Sequence, residues 1–134
     1  MKLNSVEWWK AVGKACEKDE AYLRYLKECT NPMTLKLKVA LSDDKPIMAT
    51  FENGRMVDVH EAAPGEECKV GVVNCSHELF TKIVKGEVGM VYACTHKMFG
   101  MEGMVSLMQY GRPFMQMFES VAKTVSCEEI AGKS

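Results

Sequence analysis

Apolar residues recur at helical spacing from the start of the chain. Val6, Trp9, Val12, Cys16, Leu23 and Leu26 form one stripe, which predicts a helix over Ser5 to Cys29 with a break near Lys18-Asp19. Asn4 followed three residues later by Glu7 reads as a capping box at its start. Asn31-Pro32 ends it, because proline disfavours helix in the residue before it. Trp8 and Trp9 are adjacent and point in different directions, so one is expected to face the core and the other to cover an edge or a partner surface.

From Thr34 the period changes to two. Leu35, Leu37, Val39 and Leu41 alternate with Lys36 and Lys38, the pattern of a half-buried antiparallel strand over Thr34 to Leu41. Ser42 to Pro46 is a turn, and Ile47 to Phe51 leads through Glu52-Asn53-Gly54 into Arg55 to Glu61. A two-residue Asn53-Gly54 loop would pair Glu52 with Arg55 and set Ile47, Ala49 and Phe51 on the face of Asp58 and His60. A three-residue loop shifts the register by one and collects Ile47, Ala49, Phe51, Val57 and Val59 on one face. The hydrophobic pattern favours the second. Pro64-Gly65 marks a loop over Ala62 to Glu67, and the mostly apolar Cys68 to Val73 reads as a fourth, central strand.

The helical period returns at Ser76, a good N-cap residue, with Leu79, Phe80, Ile83 and Val84 on one face and Gly86 placed to close the helix. Val88 to Cys94 has no polar face and is expected to be a buried helix. Lys97 to Met101 would be a fifth strand. A long last helix places Met104, Leu107, Met108, Met115, Phe118, Ala122 and Val125 on one side, with Gln116, Glu119 and Lys123 opposite. Pro113 lies within it and should kink it against the carbonyl of Gln109; the bend is either a flexible lid or a fixed curve around the sheet. The tail, residues 126–134, is polar.

Gly86-Glu87, then Met98-Phe99-Gly100-Met101, Glu102-Gly103, and an apolar helix from Met104 holding Pro113 resemble the C-terminal half of the sterol carrier protein 2 (sterol transfer) domain family. That family usually has Asp-Pro after its Gly-Glu, where this chain has Gly89-Met90, and its short strand is poorer in Met and Gly. The N-terminal half matches in element order alone. The resemblance implies a single α+β domain over 1–134. In it a five-stranded, mostly antiparallel sheet is covered on one face by helices, with an apolar tunnel between sheet and helices.

Composition agrees with one globular domain. At 134 residues, 47% apolar and 26% charged, the chain can bury roughly two-thirds of its unfolded surface. A net charge of −1 gives no electrostatic case for nucleic acid. No apolar run is long enough to span a membrane, and MKLNSVEWWK lacks the apolar core of a secretory signal. The expectation is a soluble, cytoplasmic protein, for which transient membrane contact remains open. Six cysteines at irregular spacing then read as reduced thiols. Eleven methionines suit walls that adapt to variable apolar ligands.

No G-x-S-x-G, P-loop, G-x-G-x-x-G or H-E-x-x-H motif occurs, so no catalytic residue is singled out and no cofactor is expected. The candidate site is an apolar cavity lined by Met90, Val91, Cys94, Met98, Met101, Met104, Leu107, Met108, Phe114, Met115 and Phe118. Arg112 is placed to meet an anionic headgroup. The same residues could equally fill a core. The function expected is non-enzymatic binding and transfer of a fatty acid, acyl-coenzyme A, other lipid or sterol-like molecule. Two alternatives stay open. Cys75-Ser76-His77 and Cys94-Thr95-His96 repeat Cys-x-His and offer two thiols and two imidazoles, a legitimate zinc or redox set. The methionine-rich last helix could instead pack on a partner or a second copy.

Overall fold

The computed structural model describes residues 2–29, 33–41, 45–63, 66, 72–87 and 111–128. The predicted first helix is two: α1 (Val6–Lys18) and α2 (Glu20–Glu28). Asp19 divides them. It is extended (φ −89°, ψ 113°), and its carboxylate accepts the Tyr22 N–H at 2.8 Å, so one residue ends α1 and caps α2. The cap of α1 is Ser5, whose hydroxyl accepts the Trp8 N–H at 3.1 Å; the expected box from Asn4 is absent. Asn4 is instead buried at φ +58°, a region that asparagine tolerates better than most residues. Its side-chain oxygen accepts Trp9 Nε1–H at 2.7 Å, and its amide donates to the Val39 carbonyl at 3.5 Å.

Four strands follow the order β3-β2-β1-β4, with β1 Leu35–Leu41, β2 Ile47–Glu52, β3 Arg55–Glu61 and β4 Val72–Cys75. The meander β1–β2–β3 is antiparallel, with Leu37 opposite Ala49 and Val39 opposite Ile47. The β2–β3 turn is the two-residue Asn53-Gly54 loop after all, with φ of +53° and +82°, and Glu52 pairs with Arg55. A bulge then shifts the ladder: Phe51 faces Met56, but Thr50 faces Asp58 and Ala49 faces Val59. Beyond the bulge Ile47, Ala49 and Val59 share a face, as the apolar pattern favoured, but through a two-residue loop and not the expected three-residue one. The extra residue, Val57, is put out of the ladder and stands 54% exposed.

The expected five-stranded, mostly antiparallel sheet is corrected here. The antiparallel part is three strands, and β4 joins it parallel to β1, with Lys38 opposite Val72 and Leu41 opposite Cys75. β4 is also outermost of the four described strands instead of central. An apolar run can suit either strand direction, and only the long-range connection from β3 decides it. The expected fifth strand, Lys97 to Met101, and the expected buried helix, Val88 to Cys94, lie outside the described residues.

Helix α3 (His77–Lys85) forms as its local signals predict. Ser76 accepts the Leu79 N–H at 3.1 Å, and Gly86 closes the helix at φ +83°. Of the last helix the described part is α4 (Gly111–Gln116), which runs into a π-helical turn (Met117–Val121) and a 3₁₀ turn (Ala122–Thr124). The carbonyl of Gln109, against which a kink was expected, lies outside the described residues. The departures from α geometry among the described residues are the widened turn after Gln116 and the tightened one at Ala122–Thr124.

Candidate functional site

The helices meet the sheet at a closed ring of four aromatic side chains. Trp8 stands edge-to-face on Trp9 (centroids 4.9 Å), Trp9 on Phe118 (5.9 Å), Phe118 on Phe80 (6.0 Å), and Phe80 on Trp8 (6.0 Å). Each plane is turned 71–83° from the next, the arrangement in which a positive ring edge meets a negative face. All four are buried, which corrects the expectation for the tryptophans. α1 packs on β3 and against both α2 and the π turn, so it hides more than one stripe. Trp9 has a partner for its N–H in Asn4. Trp8 Nε1 is buried with no acceptor among the described residues.

Of the predicted wall, Met90, Val91, Cys94, Met98, Met101, Met104, Leu107 and Met108 lie outside the described residues. Phe114 and Met115 are in α4, and Met115 is half-buried against the core. Phe118 is in the π turn and belongs to the aromatic ring, where the described interior between sheet and helices is filled instead of open. The tunnel expected between sheet and helices has most of its predicted wall outside the described residues. Met117, also fully buried, was not singled out by its sequence spacing. Arg112 does not stand alone: its guanidinium reaches the Glu28 carboxylate at 3.0 Å and lies 5.7 Å from the centre of the Tyr25 ring. Gln116 donates to Asp19 at 3.2 Å, so α4 is fastened to both ends of α2.

Of the thiol–imidazole set, Cys75 ends β4 and His77 opens α3, while Cys94 and His96 lie outside the described residues. Among the described residues no group of three His, Cys, Asp or Glu gathers to hold a metal ion. Cys16 is buried under α1; desolvation, then Asp19 and Glu17, push its thiol up to about 12, so it stays protonated and unreactive. Burial likewise pushes the Tyr22 phenol up, with the nearby Cys16 and Cys29 adding to it. That hydroxyl donates to the Gly54 carbonyl at 2.7 Å and fastens α2 to the β2–β3 turn.

Among the described residues, two open grooves mark the surface. One, of about 460 Å³, runs between α1 and β3 over Gly13, Met56, Val57 and Val59, rimmed by Lys10, Lys14, Glu17 and Asp58. The other, of about 330 Å³, lies where the N-terminal turn meets Ile47, Lys45 and Glu61. Neither includes a residue of the predicted apolar wall.

This α+β fold, a three-stranded meander with a parallel fourth strand, resembles that of sterol carrier protein 2. The chain is similar to the crystal structure of sterol carrier protein 2 at a TM-score of 0.70 and 18% identity, over 93% of this chain and all of the other. It is also similar to the solution structure of a conserved hypothetical protein from Thermus thermophilus, described as possibly a sterol carrier protein. That match has a TM-score of 0.68 and 18% identity, over 100% of this chain and 94% of the other. No family model and no curated protein matches the sequence. No helix of the described residues is long and apolar enough to cross a membrane.

Proposed function

We propose that this protein binds a hydrophobic small molecule, a fatty acid, acyl-coenzyme A, other lipid or sterol-like compound, and carries it in the cytoplasm without transforming it. The observation that carries this reading is the fold: sterol carrier protein 2 superposes on this chain along nearly its whole length. We place the ligand wall on the methionine-rich stretch over residues 90–108, with Phe114 and Met115 from α4 beside it. Each Å² of ligand apolar surface withdrawn from water there would contribute about 25 cal/mol, and flexible thioethers would accept chains of several shapes.

The test is native mass spectrometry of the purified full chain, followed by organic extraction and re-addition of a long-chain fatty acid. A stoichiometric lipid-sized mass, lost on extraction and regained with the fatty acid, is the expected result. A bare mass that takes up neither fatty acid nor sterol overturns the proposal. A zinc-sized increment removed by a chelator would do so in favour of Cys75, His77, Cys94 and His96.

A further inference from the structure

The face of the sheet turned away from the helices carries a row that runs straight across three strands: Lys38 on β1, Met48 on β2 and His60 on β3, each opposite the next. Its two ends are polar and its middle is not. Met48 is nevertheless only 1% exposed, although it points away from the core on which Ile47 and Ala49 pack. Glu66, from the connection that follows β3, is bonded to both ends of this row. Its carbonyl accepts Lys38 Nζ at 2.9 Å, and its carboxylate meets His60 Nε2 at 2.9 Å. Glu66 is held in that place by its own turn, donating its N–H to the Ala63 carbonyl and accepting the Ala63 N–H on its carboxylate, both at 2.9 Å.

The other imidazole nitrogen, Nδ1, faces the Asp58 carboxylate at 2.7 Å. A neutral imidazole has one N–H and can donate to one of these two acids; only the doubly protonated ring donates to both. Facing His60 are Asp58 on its own strand and Glu66 above it; Lys36 and Lys38 from β1 act on Glu66, and β2 contributes Met48 and Thr50, which do not titrate. We propose that Glu66, bridged between Lys38 and a protonated His60, is a pH-released clasp that closes the outer face of the sheet over Met48.

The hydrogen bonds from Glu66 and Asp58 hold the His60 pKa above its ordinary 6.5, and those from Ala63 and His60 hold Glu66 below its ordinary 4.5. The histidine's contribution is therefore complete below 6.5 and is lost as pH rises through its raised value. That of the carboxylate is complete above 4.5 and is lost as pH falls through its lowered value. The clasp is tightest between those two ordinary values and opens on the alkaline side, where one carboxylate is left facing a lone pair.

The test is oxidation of the folded full chain by hydrogen peroxide at about pH 5.5 and about pH 8.5, with each methionine read by peptide mass mapping. Met33, buried among core side chains, serves as the internal reference. Met48 should oxidise several-fold faster, relative to Met33, at the higher pH. In His60→Gln, and separately in Glu66→Gln, it should oxidise at the faster rate at both pH values, with tryptophan emission unchanged. Equal Met48 rates at the two pH values in the unsubstituted protein overturn the clasp, as does a pH contrast that survives both substitutions.

Discussion

Gly54 and Gly86 share a left-handed backbone, φ +82° and +83°, and differ in what a side chain there would meet. A Cβ on Gly54 would run into the Leu26 side chain at the tip of α2, whereas one on Gly86 meets nothing within 4 Å. Gly86→Ala therefore isolates the conformational cost, about 1 kcal/mol, because an L-residue in this region crowds its own carbonyl. Gly54→Ala adds displacement of Leu26 and of the Tyr22 bond to the Gly54 carbonyl, for a total above about 2 kcal/mol. Urea unfolding at unchanged slope measures both. Equal losses would mean that the α2 contact with the turn contributes nothing.

At the scale of elements, Asp19 carries the joint of three helices: end of α1, cap of α2 and acceptor for Gln116 from α4. Asp19→Ala should cost about 1–2 kcal/mol, within the range of lost N-caps, while Asp19→Asn, which keeps an accepting oxygen, should cost a few tenths. Thermal unfolding distinguishes these; an alanine variant as stable as asparagine would show that the helix break is held by other contacts. The break itself was legible at Lys18-Asp19, as was all of α3, because caps and glycine stops are local chemistry. The hairpin was legible in part. The shared face of Ile47, Ala49 and Val59 was legible, but not the pairing: the chain turns through two residues and a bulge that puts Val57 out of the ladder, which an apolar pattern does not distinguish from a longer loop. Asn4, the paired burial of the tryptophans, the direction of β4 and the reach of Glu66 to Lys38 and His60 were not legible. Each depends on what another part of the chain brings alongside.

Taken as a whole, the molecule closes its described interior with four rings drawn from α1, α3 and the π turn. Phe118 is the member the sequence offered both as cavity wall and as core. Its contacts with Trp9 and Phe80 are those of a scaffold, and ligand binding can separate the two roles. A ligand that binds the folded chain alone stabilises it by about 2.7 kcal/mol at a hundred times its dissociation constant. In a domain of this size that is a rise of about 5–15 °C in Tm. The delipidated protein should show this rise with saturating long-chain fatty acid. Phe118→Leu should lower the starting Tm, because two edge-to-face contacts worth about 0.5–1.5 kcal/mol each are lost. If the ring is scaffold, the ligand-induced rise in the variant should match that of the parent protein. If the rise disappears while the variant still unfolds cooperatively, Phe118 touches the ligand and the ring is one wall of its site. The scaffold outcome is the expected one, since Phe118 is buried and stands edge-to-face on both Trp9 and Phe80.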